Sequence, residues 1–356
     1  MKRNLPFLNL KRRVSNKSLV VFTRQLSTLI AAGLPLVKAL KTLYDQLEQG
    51  ALKDIIKNVA NEVESGTKFS EALSRFPKVF PEFYVNMMKA GELGGMLEGI
   101  LKRLSEFLDK SQKLRDKIKS ALMYPAFVLI VAVLILIMLM VFVIPTFTNM
   151  FSELGGALPL PTKILIATSE IIRKMWYLIP LIPVAIVAAY KWLVRNPDRR
   201  CVVDRLKLHI PVIGNLTQQV SVSRFSRTLG TLLSSGVPIL SALQTVKDTV
   251  GNEFIARAVL QVRDSIKEGE SVSGPMEASK AFPPLVVKMI NIGEETGELN
   301  KMLIQIADNF EEEVDVAISG LTSLLEPMLI VFMGLVVGFI VISMFMPLFS
   351  LAKLIG

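Results

Sequence analysis

Cysteine and histidine are almost absent from this chain. Its 356 residues include one cysteine, Cys201, and one histidine, His209. A disulfide within the chain needs two cysteines, and zinc sites or hydrolase triads are usually built from several residues of these two types. The glycine-rich Gly-x-x-x-x-Gly-Lys-Ser/Thr loop that cradles nucleotide phosphates is also missing. These absences predict a protein that is not an enzyme and holds no cofactor, so any energy-driven role needs another protein.

Charged and aromatic residues are outnumbered by aliphatic ones. Hydrophobic residues make up 51% of the chain, and the mean hydropathy is +0.47, which exceeds the usual content of a soluble domain. The excess lies in a few blocks, each close to the roughly 20 residues that cross a bilayer as a helix. We predict transmembrane helices at 126–144, 176–194 and 328–346. The middle block contains Pro180 and Pro183, and a buried hairpin is its alternative interpretation.

Most of the chain consists of one unit written twice. Each copy contains the same short motifs in the same order and ends in an apolar block. The repeated positions are Arg24 with Gly33 and Pro35, which return as Arg227 with Gly236 and Pro238; Gly91, Glu92 and Gly95, which return as Gly293, Glu294 and Gly297; and Tyr124-Pro125, which returns as Glu326-Pro327. The repeated unit is therefore a polar domain joined to a membrane helix.

Apolar residues in both copies recur at helical spacing, and strand signals are sparse. Gly33-Leu34-Pro35 is typical of one helix ending and the next beginning, because glycine suits a helix C-terminus and proline a first turn. Ser70 is a predicted N-cap. The pattern predicts an all-α integral membrane protein with two homologous bundles of about six helices, each last helix continuing into the membrane. Tyr124-Pro125 and Glu326-Pro327 mark the two membrane entrances.

The glycine-flanked acids allow two interpretations. Glu92 and Glu294 could each belong to a tight turn before the long helix, with the carboxylate near a positive helix N-terminus. Alternatively, they could meet a partner or a hard cation such as Ca²⁺, although one turn carboxylate is a weak metal signal. We therefore predict no metal site. Arg24 and Arg227 are predicted to form salt bridges within their own domains, with a partner's carboxylate as the alternative.

The net charge of +10 is placed mainly beside the predicted spans. Lysine and arginine next to a span indicate its cytoplasmic side, where they also meet anionic lipid, and no nucleic-acid motif accompanies them. Both polar domains are thus expected in the cytoplasm. The predicted division is a basic N-terminal segment (1–17), a first cytoplasmic helical domain (18–125), a first span (126–144), an external loop (145–175), a second span (176–194), a second cytoplasmic helical domain (195–327), a third span (328–346) and an external tail (347–356).

The two copies differ in charge ahead of their apolar blocks. The first copy has the basic residues Lys113, Arg115 and Lys117, whereas the second has the acidic residues Asp308, Glu311, Glu312, Glu313 and Asp315. We predict that this acidic face gives the second domain a partner different from that of the first.

The ordered motifs resemble the inner-membrane platform family of type II secretion protein F and type IV pilus assembly. The motifs that carry the resemblance are Phe22 to Leu26 with Gly33-Leu34-Pro35, Gly91-Glu92 with Gly95, Tyr124-Pro125, Pro145 with Phe147, and their returns in the second half. The resemblance implies a self-associating platform in the bacterial inner membrane. It also implies coupling of a cytoplasmic hexameric ATPase to insertion or extraction of pilin or pseudopilin subunits, beside other inner-membrane machine components.

Two other classes of function compete with the platform. A small transporter subunit acting as an oligomer could contain internal repeats, but three spans and large polar repeats leave little room for a polar pathway. A membrane enzyme lacks a convergent set of titratable groups. The resemblance itself covers type IV pilus biogenesis, type II secretion and DNA uptake alike.

Overall fold

The computed structural model describes residues 14–147, 159–175, 177, 181–211 and 213–355, without the side chains of 182, 348 and 350–355. Most of the predicted N-terminal segment 1–17 therefore lies outside the described residues. The same holds for 148–158 of the predicted external loop and for 176 and 178–180 of the predicted second span. Every regular element in the described residues is helical, and none is a strand. The all-α prediction is confirmed.

The first repeat contains six helices. They are α1 (Asn16–Ala31), α2 (Leu36–Gln46), α3 (Ala51–Glu64), α4 (Phe69–Ser74), α5 (Glu82–Leu93) and α6 (Leu97–Met138). A π-helical turn, Leu139–Val143, follows α6. Gly33 and Gly95 adopt left-handed φ angles of 81° and 65° at the ends of α1 and α5. Such angles are ordinary for glycine but strained for other residues, which explains glycine at these two helix ends.

The described residues between the repeats form three helices, and six more helices form the second repeat. The connecting helices are α7 (Leu160–Met175), α8 (Leu181–Leu193) and α9 (Pro197–His209). The second repeat comprises α10 (Ile213–Ser234), α11 (Ile239–Thr249), α12 (Glu253–Lys267), α13 (Ser273–Ser279), α14 (Pro284–Glu295) and α15 (Leu299–Ile355). Gly236 and Gly297 repeat the left-handed glycines, with φ angles of 79° and 71°. Helix α15 continues beyond the predicted end of the third span at 346.

The chain divides into two compact units. The first consists of residues 1–116 and 204–314 and contains the polar helices of both repeats. One hydrophobic core runs through it, with Phe22 and Phe80 from the first repeat and Phe225 and Phe282 from the second. The fully buried Tyr84 shares a hydrogen bond of 3.1 Å with Thr23, and burial raises the pKa of its phenol despite that bond.

The second unit consists of residues 117–203 and 315–356. Two stretches, Leu97–Phe147 and Leu299–Pro347, are long and apolar enough to cross a bilayer by length and composition, and most of their apolar side chains are exposed. The apolar helix in the region of the predicted middle span, Pro183–Leu193, is shorter. The second predicted span, 176–194, and with it the total of three spans, therefore stays a prediction.

Helix α7 occupies part of the predicted external loop 145–175. Its Leu165 packs with Ile144 and Ile340 in a small apolar cluster. The Thr162 hydroxyl donates to the Ser343 carbonyl at 2.6 Å, and the Ser169 hydroxyl bonds the Met140 carbonyl in the π-helical turn. This segment is thus a helix bonded to both long apolar helices, which the sequence interpretation as a loop did not include.

Candidate functional site

The glutamates of the two Gly-Glu motifs hold the N-terminus of a neighbouring helix. The Glu92 carboxylate accepts hydrogen bonds from the Phe69 amide, from the Ser70 amide at 3.0 Å and from the Ser70 hydroxyl. These amides belong to the first turn of α4, whose N–H groups have no partner within the helix. A carboxylate there also interacts favourably with the positive end of the helix dipole.

The second repeat has the same arrangement. The Glu294 carboxylate accepts from the Val272 amide at 2.8 and 3.0 Å and from the Ser273 amide at 3.3 Å. Val272 directly precedes α13, the counterpart of α4. Each acid therefore connects the fifth helix of its repeat to the start of the fourth.

Two details of the sequence interpretation are corrected by this geometry. Gly91 and Glu92 lie in the last turn of α5 rather than in the turn before α6, and the helix that Glu92 contacts is α4. Ser70 is not the N-cap of α4, because Lys68 occupies that position and Ser70 donates to Glu92 instead. The predicted closeness of the acid to a helix N-terminus remains, with a different helix.

The glycines of the Gly-Glu motifs allow close helix packing. A β-carbon on Gly91 would lie 3.1 Å from the side chain of Ile100, and one on Gly293 would lie 2.9 Å from that of Met302. Both distances are shorter than ordinary contacts. A side chain at either position would push the fifth helix away from the long helix of its own repeat and displace the glutamate beside it.

Hydrogen-bond donors account for both glutamates without a cation. The described residues contain no group of three or more histidine, cysteine, aspartate or glutamate side chains arranged to hold a metal ion. Glu92 and Glu294 each face amide donors, and a Ca²⁺ site requires six to eight oxygen ligands converging on one point. The arrangement organises helices.

The repeated arginines form salt bridges with the long helix of their own repeat. Arg24 pairs with Asp109 across an exposed surface, and its side chain is 58% exposed. Arg227 is only 8% exposed and contacts two acids, with its Nη2 bonding Asp308 at 2.5 Å and its Nε bonding Glu311 at 2.9 Å. The second repeat thus has a more buried and more extensive ion pair at the same position.

Asp308 lies between two basic side chains. Its carboxylate accepts from Arg227 and, at 2.9 Å, from Lys110 of the first repeat. Partial burial disfavours the charged carboxylate, but the hydrogen bonds from Arg227 and Lys110 outweigh it and hold the pKa of Asp308 below its ordinary value. This carboxylate is therefore ionised at neutral pH and connects α15 to both repeats.

The acidic residues ahead of the third span are mostly engaged within the chain. Asp308 and Glu311 contact Arg227 and Lys110. Glu313 accepts from the Gln219 amide at 3.0 Å, and Asp315 pairs with Lys117 at 2.5 Å. Only Glu312 of the predicted acidic face stays exposed without such a contact in the described residues. The opposite charges of the two repeats hold the long helices together. A different partner for the acidic face of the second domain stays a prediction.

Further polar contacts between the repeats involve residues that belong to no sequence motif. The Asn86 amide donates to the Thr245 hydroxyl at 2.9 Å, and Arg103 donates to the Ser234 carbonyl at the end of α10. Sequence reasoning found none of these residues. The one available signal was the opposite charge of the segments around Lys110 and Asp308.

The predicted membrane entrances lie inside the long helices. Pro125 is within α6 and Pro327 is within α15, so neither proline starts a helix. Tyr124 and Glu326 are both exposed. A proline inside a helix removes one backbone hydrogen bond, and here the helix continues through it.

Comparison with known proteins matches both repeats to one family. The family model described as "Type II secretion system (T2SS), protein F" matches residues 22–145 and again residues 225–347. The two matched ranges are the two copies of the repeated unit.

Similar proteins cover nearly the whole chain. A type IV pilus assembly protein PilC of Thermus thermophilus is 44% identical over 98% of this chain and 85% of its own length. The PilC of Myxococcus xanthus is 43% identical over 95% of this chain and 81% of its own length. A type II secretion system protein F of Xanthomonas campestris is 36% identical over 99% of this chain and 87% of its own length. With both of its repeats matched by the family model, the chain belongs to the type II secretion system protein F family, which includes the type IV pilus assembly proteins PilC.

Proposed function

We propose that this protein is an inner-membrane assembly platform of a type IV pilus or type II secretion machine, and that it is not an enzyme. The observation that carries the proposal is that α6 and α15 each continue from the polar core into an apolar stretch. Each helix contains residues of the polar core, such as Leu104 and Leu303, and continues through a proline into an apolar stretch long enough for a bilayer. The names of the similar proteins, pilus assembly protein and secretion system protein F, support the same role.

The proposed topology has three spans. Residues 126–144, 176–194 and 328–346 cross the inner membrane, both polar domains face the cytoplasm and the tail from 347 lies outside. The lysine and arginine residues beside the first two spans support this orientation, because positively charged loops stay on the cytoplasmic side. A cysteine-accessibility experiment on the Cys201→Ser background tests it. A membrane-impermeant maleimide should label a cysteine at Phe349 in intact cells and leave one at Glu71 unlabelled, and the reverse pattern contradicts the topology.

The proposed partners are a cytoplasmic hexameric ATPase, pilin or pseudopilin subunits and other inner-membrane components of the machine. The ATPase shifts the cytoplasmic helices, and α6 and α15 carry that shift to the membrane segments, where a subunit is inserted or extracted. The absence of a phosphate-binding loop from the sequence supports a separate source of energy.

Deletion and copurification test the proposal together. A strain without this chain should lose its surface fibres or its secreted substrates while the ATPase and pilin-like proteins stay at normal levels. The full chain, purified from membranes, should copurify with the ATPase. Normal fibres and normal secretion in the deletion strain would overturn the platform role. Loss of solute uptake with intact fibres and secretion would instead support a transporter subunit.

A further inference from the structure

The two repeats of the first unit contact each other through unlike helices. Helix α5 of the first repeat packs on α11 of the second, where Asn86 bonds Thr245. In the duplicated sequence α5 corresponds to α14 and α11 corresponds to α2, because Asn86 aligns with Lys288 and Thr245 aligns with Thr42. The contact is therefore heterologous: one surface of the repeat meets a different surface of the next repeat.

The counterparts of these two surfaces are open. On α14, Leu285 is 57% exposed and Ile292 is 50% exposed, whereas Phe83, the counterpart of Leu285, is 2% exposed. A cleft of about 910 Å³ lies beside them, lined in part by Val287 and Lys288. Exposed apolar residues around a cleft are typical of an interaction surface.

The matching surface on α2 is also less covered than its counterpart. Thr42 is half-buried, whereas Thr245 is 1% exposed beneath α5. Asp45 is exposed one helical turn after Thr42. The sequence replaces Asn86 with Lys288 at the corresponding position of α14. A lysine placed over Thr42 in the manner of Asn86 would meet the Asp45 carboxylate, so the two open surfaces complement each other in charge.

We infer that α14 of one copy docks on α2 of a second copy, repeating between chains the contact that α5 and α11 make within one chain. The occupant is a second copy because this chain itself contains the matching surface.

The direction of the long helices agrees with such a repetition. Lys110 pairs with Asp308, and seven residues later on both helices Lys117 pairs with Asp315, so α6 and α15 run in the same direction. A contact repeated between chains keeps all long helices pointing the same way. Neighbouring copies in one membrane require that direction, and this step rests on the proposed membrane location.

One part of the contact within the chain is not reproduced between chains. The counterparts of Lys110 and Asp308 are Glu312 and Glu106, which are both exposed. Two acids face each other where the chain itself has an ion pair, and like charges repel. The contact between copies is thus weaker than the contact within one copy.

Cysteine pairs test the docking directly in membranes. On a Cys201→Ser background, two full-length chains of different tag size are coexpressed, one with Thr42→Cys and the other with Lys288→Cys. Mild oxidation should join them into a mixed dimer, and neither variant expressed alone should form a dimer. The matched control is Asn86→Cys with Thr245→Cys in one chain, which should form a disulfide within that chain because the same two positions are in contact there.

The outcomes separate docking from the platform role. No mixed dimer, despite efficient closure of the Asn86/Thr245 pair, would overturn the docking surface. A dimer of Lys288→Cys with itself would also overturn it, because that product requires a two-fold contact between identical surfaces. Fibre assembly and secretion are read in separate assays, so the platform can fail while the crosslink forms, or the reverse.

A charge substitution gives a second test. It is expected to strengthen the association of two copies, whereas a substitution that disturbs the fold would weaken it. Glu312→Lys places a lysine opposite Glu106 of the second copy, as Lys110 lies opposite Asp308. Association in detergent or lipid nanodiscs should tighten roughly threefold to tenfold, the range expected for one exposed ion pair replacing a repulsion. Glu268→Lys, on an exposed position of the second repeat, controls for net charge. Unchanged or weaker association of Glu312→Lys with an unchanged control contradicts the inferred docking.

Discussion

The two repeats share the contacts that build each domain and differ in the contacts that join the domains. In both, a glutamate of the fifth helix accepts from the start of the fourth helix, and a glycine at the preceding position lets the fifth helix approach the long helix. The long helices, in contrast, have opposite charges. Lys110 and Lys117 of the first repeat pair with Asp308 and Asp315 of the second.

This difference shows how a duplicated domain becomes a pair. Identical surfaces would place like charges opposite each other where the long helices meet. Opposite charges on α6 and α15 instead favour packing of the first repeat on the second. The charge difference between the repeats therefore favours contact between a first and a second repeat over contact between two identical ones. Electrostatic complementarity of this kind selects partners more than it adds affinity.

The largest expected effect comes from interrupting either long helix. A flexible Gly/Ser segment inserted between Lys119 and Ser120 of α6 should abolish fibre assembly or secretion while the protein still enters the membrane. The reason is that a flexible segment cannot transmit a shift along a helix. The matched insertion in α15, between Leu321 and Thr322, should have the same effect if both long helices transmit the shift to the membrane in the same way.

Fibre counts, secretion assays and membrane fractionation check the insertions. The same segment placed between Glu48 and Gln49, in the loop after α2, should be tolerated. Normal assembly with the α6 insertion would contradict transmission of the shift along α6. A defect from only one of the two insertions would show that the repeats differ in mechanism as well as in charge.

The next largest effect tests the shared glutamate contact. Glu92→Ala leaves two amides and one hydroxyl at the start of α4 without their acceptor. We expect a loss of roughly 3 kcal/mol in local stability, because hydrogen bonds to a charged group are stronger than neutral ones. Hydrogen exchange of the α4 amides in the full chain measures it. Glu294→Ala should accelerate exchange in α13 to a similar extent.

The exposed Glu71→Ala serves as the control for both glutamate variants, since Glu71 lies in the first turn of α4 and makes no such contact. Equal exchange in all three variants would show that the carboxylates of Glu92 and Glu294 do not hold these helices.

The sequence predicted the parts of the fold that depend on local pattern. Helical spacing and the repeated glycines indicated the helical class and the duplication, because an apolar face and a left-handed glycine leave a signature within a few residues. The partner of Glu92 was misplaced since α4 is distant in sequence. The contacts of Lys110 with Asp308 depend on the packing of one repeat on the other, which no local pattern reports.

A moderate effect is expected from the repeated arginines, and it should differ between the repeats. Arg227→Ala removes a largely buried guanidinium and leaves Asp308 and Glu311 without it, at a cost of about 2 kcal/mol in stability. Arg24→Ala removes an exposed ion pair with Asp109 and should have a much smaller effect, because solvent screens such pairs. Thermal unfolding of the full chain in detergent compares the two. Equal losses of stability in the two variants would contradict burial of the guanidinium as the cause of the expected difference.

The same ion pairs should make the second repeat sensitive to acid. Because the pKa of Asp308 is lower in the folded chain than its ordinary value, its contribution is present above the ordinary pKa and is lost as the pH falls through the folded one. Wild-type protein should therefore lose stability below about pH 4, the usual range of aspartate. Asp308→Asn should show a shallower acid dependence, and an unchanged slope would contradict this role of Asp308.

The smallest effect should change sign between the repeats. Thr23 accepts from the buried Tyr84, since its own hydroxyl donates to the Leu19 carbonyl at 2.9 Å. Thr23→Val should cost roughly 1 kcal/mol by leaving a buried phenol without an acceptor. In the second repeat Val286 replaces Tyr84, and the buried hydroxyl of Ser226, the counterpart of Thr23, has no partner in the described residues.

Ser226→Ala should therefore stabilise the chain by up to about 1 kcal/mol, because it removes a buried polar group that makes no hydrogen bond. Alanine also favours helices more than serine does, so Ser241→Ala at an exposed position of α11 measures that contribution separately. Thermal unfolding of the full chain compares the three variants with the wild type. A stabilisation by Ser226→Ala that exceeds the control, beside a destabilisation by Thr23→Val, would show that the repeats diverged in their cores as well as in their charges. Destabilisation by both would mean that Ser226 has an acceptor equivalent to that of the first repeat.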